Sequence, residues 1–140
     1  MSKIALVFVL TLALIGKHAE GLFGFGKVEV TIFNGLDIGN ELIIHCKSKH
    51  HDLGTHYISG GGEYYTFTVH KSIFDNTLYF CGFTFDNELH WFDIYVQVRD
   101  AADERTCRDG CLWTIEESGP CAHTRSRTGF LNHCYRWNEH

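Results

Sequence analysis

Proline is nearly missing from this chain: Pro120 is the only one in 140 residues. Chain reversals therefore fall to Gly, Asn and Asp, which reach turn conformations by other routes. No Asn-x-Ser/Thr acceptor occurs, so N-glycosylation is not expected. No Gly-x-Ser-x-Gly elbow, internal repeat, low-complexity linker or amphipathic helical stretch is visible in the body of the chain. Basic charge is scarce, with 12 Lys and Arg against 17 Asp and Glu. That balance argues against a general nucleic-acid binder, because counterion release needs clustered cations. It argues equally against a basic amphipathic membrane-active helix.

Long apolar runs are also absent, save one at the start. Lys3 precedes the run Ile4–Ile15, broken only by Thr11, and Gly16, Ala19 and Gly21 follow. A short basic region, an apolar segment of about a dozen residues and small residues at the exit predict a signal peptide cleaved after Gly21. A buried apolar helix or an uncleaved anchor is the alternative. Cleavage leaves one secreted domain over residues 22–140, with ten basic and sixteen acidic side chains. Of the chain's ten histidines nine remain in that domain, and, each near an unperturbed pKa of about 6.5, they would bring it towards neutrality in a mildly acidic space. Six cysteines lie beyond the signal segment: Cys46, Cys81, Cys107, Cys111, Cys121 and Cys134. An even number in an oxidising compartment predicts three disulfides, with about fifteen connectivities open.

Seven segments carry strand signals. They are KVEVTIF (27–33), ELIIHC (41–46), THYI (55–58), EYYTFTV (63–69), TLYFCGFTF (77–85), HWFDIYVQV (90–98) and CLWTIEE (111–117). Asn34-Gly35, Gly60–Gly62, Asp86-Asn87 and Ser118-Gly119-Pro120 punctuate them. In HWFDIYVQV the alternation puts Phe92, Ile94, Val96 and Val98 on one face and Asp93, Tyr95 and Gln97 on the other. The pattern predicts an all-β fold, a small antiparallel sandwich of seven or eight strands. RDAADERTCRDG (99–110) is the most polar stretch and suits a long exposed loop. The tail after Cys121 has no clear period. A Cys121–Cys134 bridge would close it.

The stretch IIHCKSKHHDLG (43–54) holds ligand and nucleophile types, yet it supports neither a zinc site nor a catalytic cysteine. Its spacing matches no standard zinc pattern, and adjacent strand residues such as His45 and Cys46 point to opposite faces. A Cys–His nucleophile would need an unpaired thiol. His45, His56, His70 and His90 are acid–base candidates for a hydrolase or nuclease, but nothing in their spacing selects a pair. Glu116-Glu117 select no glycosidase pair, and Asp100, Asp103 and Asp109 miss the EF-hand spacing. No metal and no cofactor is expected. Phe67, Phe80, Phe83, Phe85, Trp91 and Trp113 read as core. Trp137, in the tail, reads as exposed.

Taken in order, Asn34-Gly35-Leu36, the His-Cys-Lys-Ser…Asp-Leu-Gly block, GGGEYYTFTV, the Phe-Cys-x-Phe strand, WFDIYV and Cys107-x-x-x-Cys111-x-Trp113 resemble one family. It is the plant self-incompatibility S-protein homologue family of small secreted proteins, and the resemblance runs from about Val28 to Glu117. It implies a β-sandwich with cysteines at the positions of Cys46, Cys81, Cys107 and Cys111, and no enzymatic activity. The best-known members are stigma ligands recognised by a pollen membrane receptor, which leads to calcium signalling and growth arrest. Many others occur in plants without that system. No family role is carried onto Cys121 or Cys134.

The resulting expectation is a secreted, non-enzymatic signalling or recognition ligand for a membrane-receptor ectodomain, monomeric, without nucleic-acid binding or membrane insertion. Binding is assigned first to the 99–110 loop through Asp100, Asp103, Glu104, Arg105, Arg108 and Asp109. Lys47, Lys49, His50 and His51 come second, since opposite charge on the two loops suits electrostatic steering. Cys46–Cys111 and Cys81–Cys107 are the favoured pairings, because Cys46 and Cys111 each belong to an apolar strand face. Other pairings stay open. The rival readings are a two-histidine hydrolase or nuclease and a toxin-like or defence effector.

Overall fold

β-Branched and aromatic residues alternating with polar ones build strands wherever one face can be buried. In this computed structural model, which describes residues 26–72, 74, 76–100, 107, 110–126 and 129–138, that rule yields nine strands and one helical turn. They are β1 (Lys27–Asn34), β2 (Leu42–Lys47), β3 (Asp52–Ile58), β4 (Tyr64–His70), β5 (Leu78–Phe85), β6 (Glu88–Val96), α1 (Gln97–Asp100), β7 (Cys111–Glu116), β8 (Gly119–Ser126) and β9 (Gly129–Cys134). The predicted signal segment, residues 1–21, lies outside the described residues.

Two sheets form a sandwich. One has the order β4-β1-β7-β8-β9 and the other β3-β2-β5-β6. All pairings are antiparallel except β1 with β7, where Val30 opposes Cys111 and Ile32 opposes Trp113. The core lies between the sheets. Val30, Ile32, Trp113 and Ile115 from the first meet Ile44, Phe83 and Ile94 from the second, all fully buried.

The predicted turns close as their residues require. Asp86 and Asn87 both take positive φ, 50° and 59°, the conformation of a two-residue hairpin turn. At the β1 exit, the Gly35 amide donates to the Ile115 carbonyl at 2.9 Å. A Cβ at Gly35 would run into that carbonyl and the Thr114 methyl, so only glycine permits the approach. Asn34 beside it is buried, and its amide nitrogen donates to the carbonyls of Asn40 and Ile58, both at 2.9 Å.

Several expectations are corrected. The tail is two further strands, β8 and β9; the break at Ser118-Gly119-Pro120 does end β7, at Glu116, but β8 starts again at Gly119. β9 is an edge strand, and β8 mixes Pro120, Cys121 and Ala122 with His123, Thr124 and Arg125, so no apolar period announces them. Tyr95 is fully buried instead of facing away from Phe92. Cys81 opposes Phe92 while Tyr79 opposes Tyr95, so β6 carries an extra residue there. Such a bulge turns Tyr95 inward. Phe80 and Trp91 are half-buried, with ring centroids 6.0 Å apart, and alternate with the inward Tyr79, Cys81 and Phe92. Trp137 is packed on Phe83, Phe85 and His90, not exposed.

The bridges are Cys46–Cys81, Cys107–Cys111 and Cys121–Cys134. Only the last matches the favoured set. Cys46 and Cys81 stand opposite each other on neighbouring strands, as do Cys121 and Cys134. Cys111 begins β7 in the other sheet, beyond reach of that register, and joins Cys107 four positions upstream. Loop-closure entropy for separations of 35, 13 and 4 residues corresponds to about 4, 3 and 2 kcal/mol of stabilisation. Replacing each pair by alanine should lower the denaturation midpoint in that order, with Cys46/Cys81 the most damaging. Urea titration checks the ranking.

Burial, and then the nearby Asp100 carboxylate, push the Tyr95 phenol up to about 12. The fold favours its protonated form, so this contribution is intact below the ordinary phenol value of about 10. It is lost as pH rises through the raised value. The Tyr95 hydroxyl has no hydrogen-bond partner among the described residues. Tyr95→Phe should therefore keep neutral-pH stability or raise it by up to about 1 kcal/mol. It should also flatten the alkaline loss between about pH 10 and 12, read by melting temperature against pH.

Candidate recognition site

The topology gathers three connections at one end of the sandwich. β2, β4 and β6 all end there, so the β2–β3 loop, the β4–β5 segment and the β6–β7 connection share it. Gln97, the first residue of α1, ties two of them together. Its Oε1 accepts the amides of Ser72 (3.0 Å) and Thr77 (3.3 Å), and its Nε2 donates to the Ser72 carbonyl. The Val98 amide donates to Asn76 Oδ1 at 3.0 Å. Ser72, Asn76 and Thr77 are thus held beside α1.

Between these residues and the β2–β3 loop lies a cleft of about 490 Å³. Ser48, Lys49 and His50 line one side, and Ser72, Asn76, Thr77 and Leu78 line the other. The loop is short and closed on itself. The Ser48 amide donates to the His51 carbonyl at 2.8 Å, and the His51 amide to Ser48 Oγ at 3.1 Å. At its base His45 Nε2 lies 2.6 Å from Asp52 Oδ1, and Lys47 Nζ lies 3.8 Å from Asp52 Oδ2. The Gly54 amide, first, and then His45 hold the exposed Asp52 carboxyl below the usual carboxylate range.

Of the residues expected to bind a partner, Lys49 and His50 line the cleft. His51 is exposed on the loop but is not among the lining residues, and Lys47 is turned to Asp52. Asp103, Glu104, Arg105, Arg108 and Asp109 lie outside the described residues. Asp100 is a correction. It is fully buried, accepts Arg99 Nε at 2.6 Å and Nη2 at 2.8 Å, and accepts the Val96 amide at 2.6 Å. A carboxylate so enclosed cannot meet a partner. Arg99 lies 5.3–5.6 Å from the ring centres of Phe92, Trp113 and Tyr135. High charge in 99–110 suggested a surface loop, but its first two residues are structural. Ser72, Asn76, Thr77, Leu78 and Gln97 were missed, since HKSIFDN carries no motif and only its Ser and Asn hint at a turn.

The acid–base histidines do not converge. His45 and His56 neighbour Ile44 along and across the strands, so they lie on opposite faces of one sheet. His56 stacks on Tyr65 at 4.0 Å, and His90 stacks between Phe85 and Trp137, both at 4.8 Å. Among the described residues no three His, Cys, Asp or Glu side chains are grouped to hold a metal ion. No described helix is long and apolar enough to cross a membrane.

Residues 29–137 match the family described as Plant self-incompatibility protein S1. This chain belongs to that family. S-protein homolog 2 of Arabidopsis thaliana is 40% identical over 126 residues, which cover 88% of this chain and 76% of that protein. S-protein homolog 5 of the same plant is 35% identical over 137 residues, covering 98% and 99%. S-protein homolog 29 is 32% identical, covering 98% and 97%. No solved structure matches the chain. For this S1-family chain the match runs past Glu117 to Trp137. The tail with Cys121 and Cys134, left outside the resemblance by sequence reading, is thus part of the family domain.

Removing one partner of a buried ion pair leaves the other uncompensated, at a cost of roughly 3–5 kcal/mol. Asp100→Asn should lower stability by about 3 kcal/mol, at the lower end because Arg99 keeps 25% exposure. The denaturant midpoint checks this, with the m-value unchanged if the variant still unfolds cooperatively.

Proposed function

We propose that this S1-family chain is a secreted, non-enzymatic recognition ligand whose loops engage the ectodomain of a membrane receptor. The observation that carries this reading is the gathering of three connections at one end of a rigid sandwich, with Lys49 and His50 across a cleft from Ser72, Asn76 and Thr77. Loops on a rigid support are the usual seat of specificity. Three disulfides that use all six cysteines, behind a predicted signal segment, support export to an oxidising space. The engagement of His45, His56 and His90 in other contacts weighs against the two-histidine hydrolase. The net negative charge weighs against a membrane-lytic effector.

The test uses the labelled secreted product and plant plasma-membrane vesicles. Saturable binding that disappears after protease treatment of the vesicles is expected, with only background binding to liposomes of the same lipids. Equal binding to protein-free liposomes would overturn the reading. Charge reversal at Asp103, Glu104 and Arg105 should weaken vesicle binding about tenfold, as expected for steering charges, and leave the near-UV spectrum intact. Undiminished affinity would remove that loop from the interface.

A further inference from the structure

Lys49 and His50 have no hydrogen-bonded or ion-paired side-chain partner among the described residues. The nearest acidic group along the loop, Asp52, is already held by His45, Lys47 and the Gly54 amide. It is therefore not free to neutralise them. Other polar groups of the cleft are also biased towards donation. Asn76 Oδ1 accepts the Val98 amide, which leaves its amide nitrogen with two donor hydrogens. Ser48 Oγ accepts the His51 amide, which leaves its hydroxyl proton to give. Thr77 is the exception, since its hydroxyl donates to the His70 carbonyl. Among the described residues the lining contains no carboxylate.

Large apolar side chains stand at the same end. Leu78 lines the cleft and is 38% exposed, Val98 next to Asn76 is 69% exposed, and Phe74 is 86% exposed. A cationic, donor-rich cleft with apolar side chains left in water calls for a ligand that supplies both an acceptor and a hydrophobic group. An acidic polysaccharide supplies the acceptor but presents hydroxyls to the apolar rim. A protein segment supplies both. The volume of about 490 Å³ accommodates two adjoining side chains, within the roughly 300–1,000 Å³ of small-ligand sites.

We propose that this cleft receives a carboxylate side chain with an adjacent aliphatic one, carried on a segment of the protein partner. The carboxylate meets Lys49, His50 and the donors of Ser48 and Asn76, and the aliphatic group covers Leu78 and Val98. This rests on the ligand reading above and names what the partner must present.

The experiment uses the disulfide-bonded product recovered from the medium of cells expressing the full chain. Saturation-transfer NMR follows two probes, N-acetyl-Glu-Leu-amide and N-acetyl-Gln-Leu-amide, with trigalacturonate as a third ligand. Saturable binding of the Glu probe is expected, at least fivefold tighter than the Gln probe. The double variant Lys49→Glu/His50→Glu should abolish that preference. Arg136→Glu, on the exposed tail at the opposite end, should leave it unchanged. Equal binding of both probes, a preference that survives the double variant, or tighter binding of trigalacturonate would each overturn the assignment. Absence of the probe preference in the unsubstituted protein, with saturable vesicle binding retained, overturns the cleft assignment alone. The probe preference without saturable vesicle binding overturns the ligand reading and leaves the chemistry of the cleft standing.

Discussion

Asp100 has no access to water, and its charge is tolerable only because Arg99 is beside it. The pair is made by consecutive residues, yet it reaches across the whole molecule. The guanidinium meets Phe92 from one sheet, Trp113 from the other and Tyr135 from the tail. It also donates to the Asp93 carbonyl at 2.9 Å. The carboxylate takes the Val96 amide where β6 gives way to α1. A buried ion pair is weak evidence for net stability, because desolvation offsets much of the attraction. Its stronger effect is on geometry, since an alternative packing would leave a charge uncompensated. It fixes where β6 ends, how Tyr135 packs between the sheets, and from where the polar 101–110 segment departs.

The two ends of the sandwich are used differently. At one, buried Asn34 satisfies the carbonyls of Asn40 and Ile58, and Trp137 packs over Phe83, Phe85 and His90. Polar groups are paired and aromatic area is covered there. At the other, Gln97 and Asn76 spend their acceptors on backbone amides and leave Lys49, His50, Leu78 and Val98 facing solvent. Rigidity at the first end and unspent chemistry at the second are what a loop-based recognition surface needs.

The disulfides follow from register rather than from shared hydrophobicity. Cys46 and Cys111 both point into the core, but from different sheets. A bridge requires Cα atoms a few ångströms apart, and only directly opposed strand neighbours or close chain neighbours provide that here. Cys46 and Cys81 are 4.0 Å apart, Cys121 and Cys134 are 3.9 Å apart, and Cys107 and Cys111 are 4.4 Å apart.

The sequence by itself determined the strand-rich character, the first seven strands, the turns at Asn34-Gly35 and Asp86-Asn87 and the family, because alternation, turn chemistry and ordered motifs are local signals. It also named Lys49 and His50, together with Lys47 and His51, as charge in a loop next to a strand end. Only the tertiary structure decided which strands are neighbours, and with that the pairing of Cys46 with Cys81. It alone showed that one extra residue in β6 turns Tyr95 inward, that Asp100 is an interior group, and that Ser72, Asn76 and Thr77 stand across a cleft from Lys49. Each of these depends on what lies across a sheet or a cleft, and a linear pattern carries no record of residues distant in the chain.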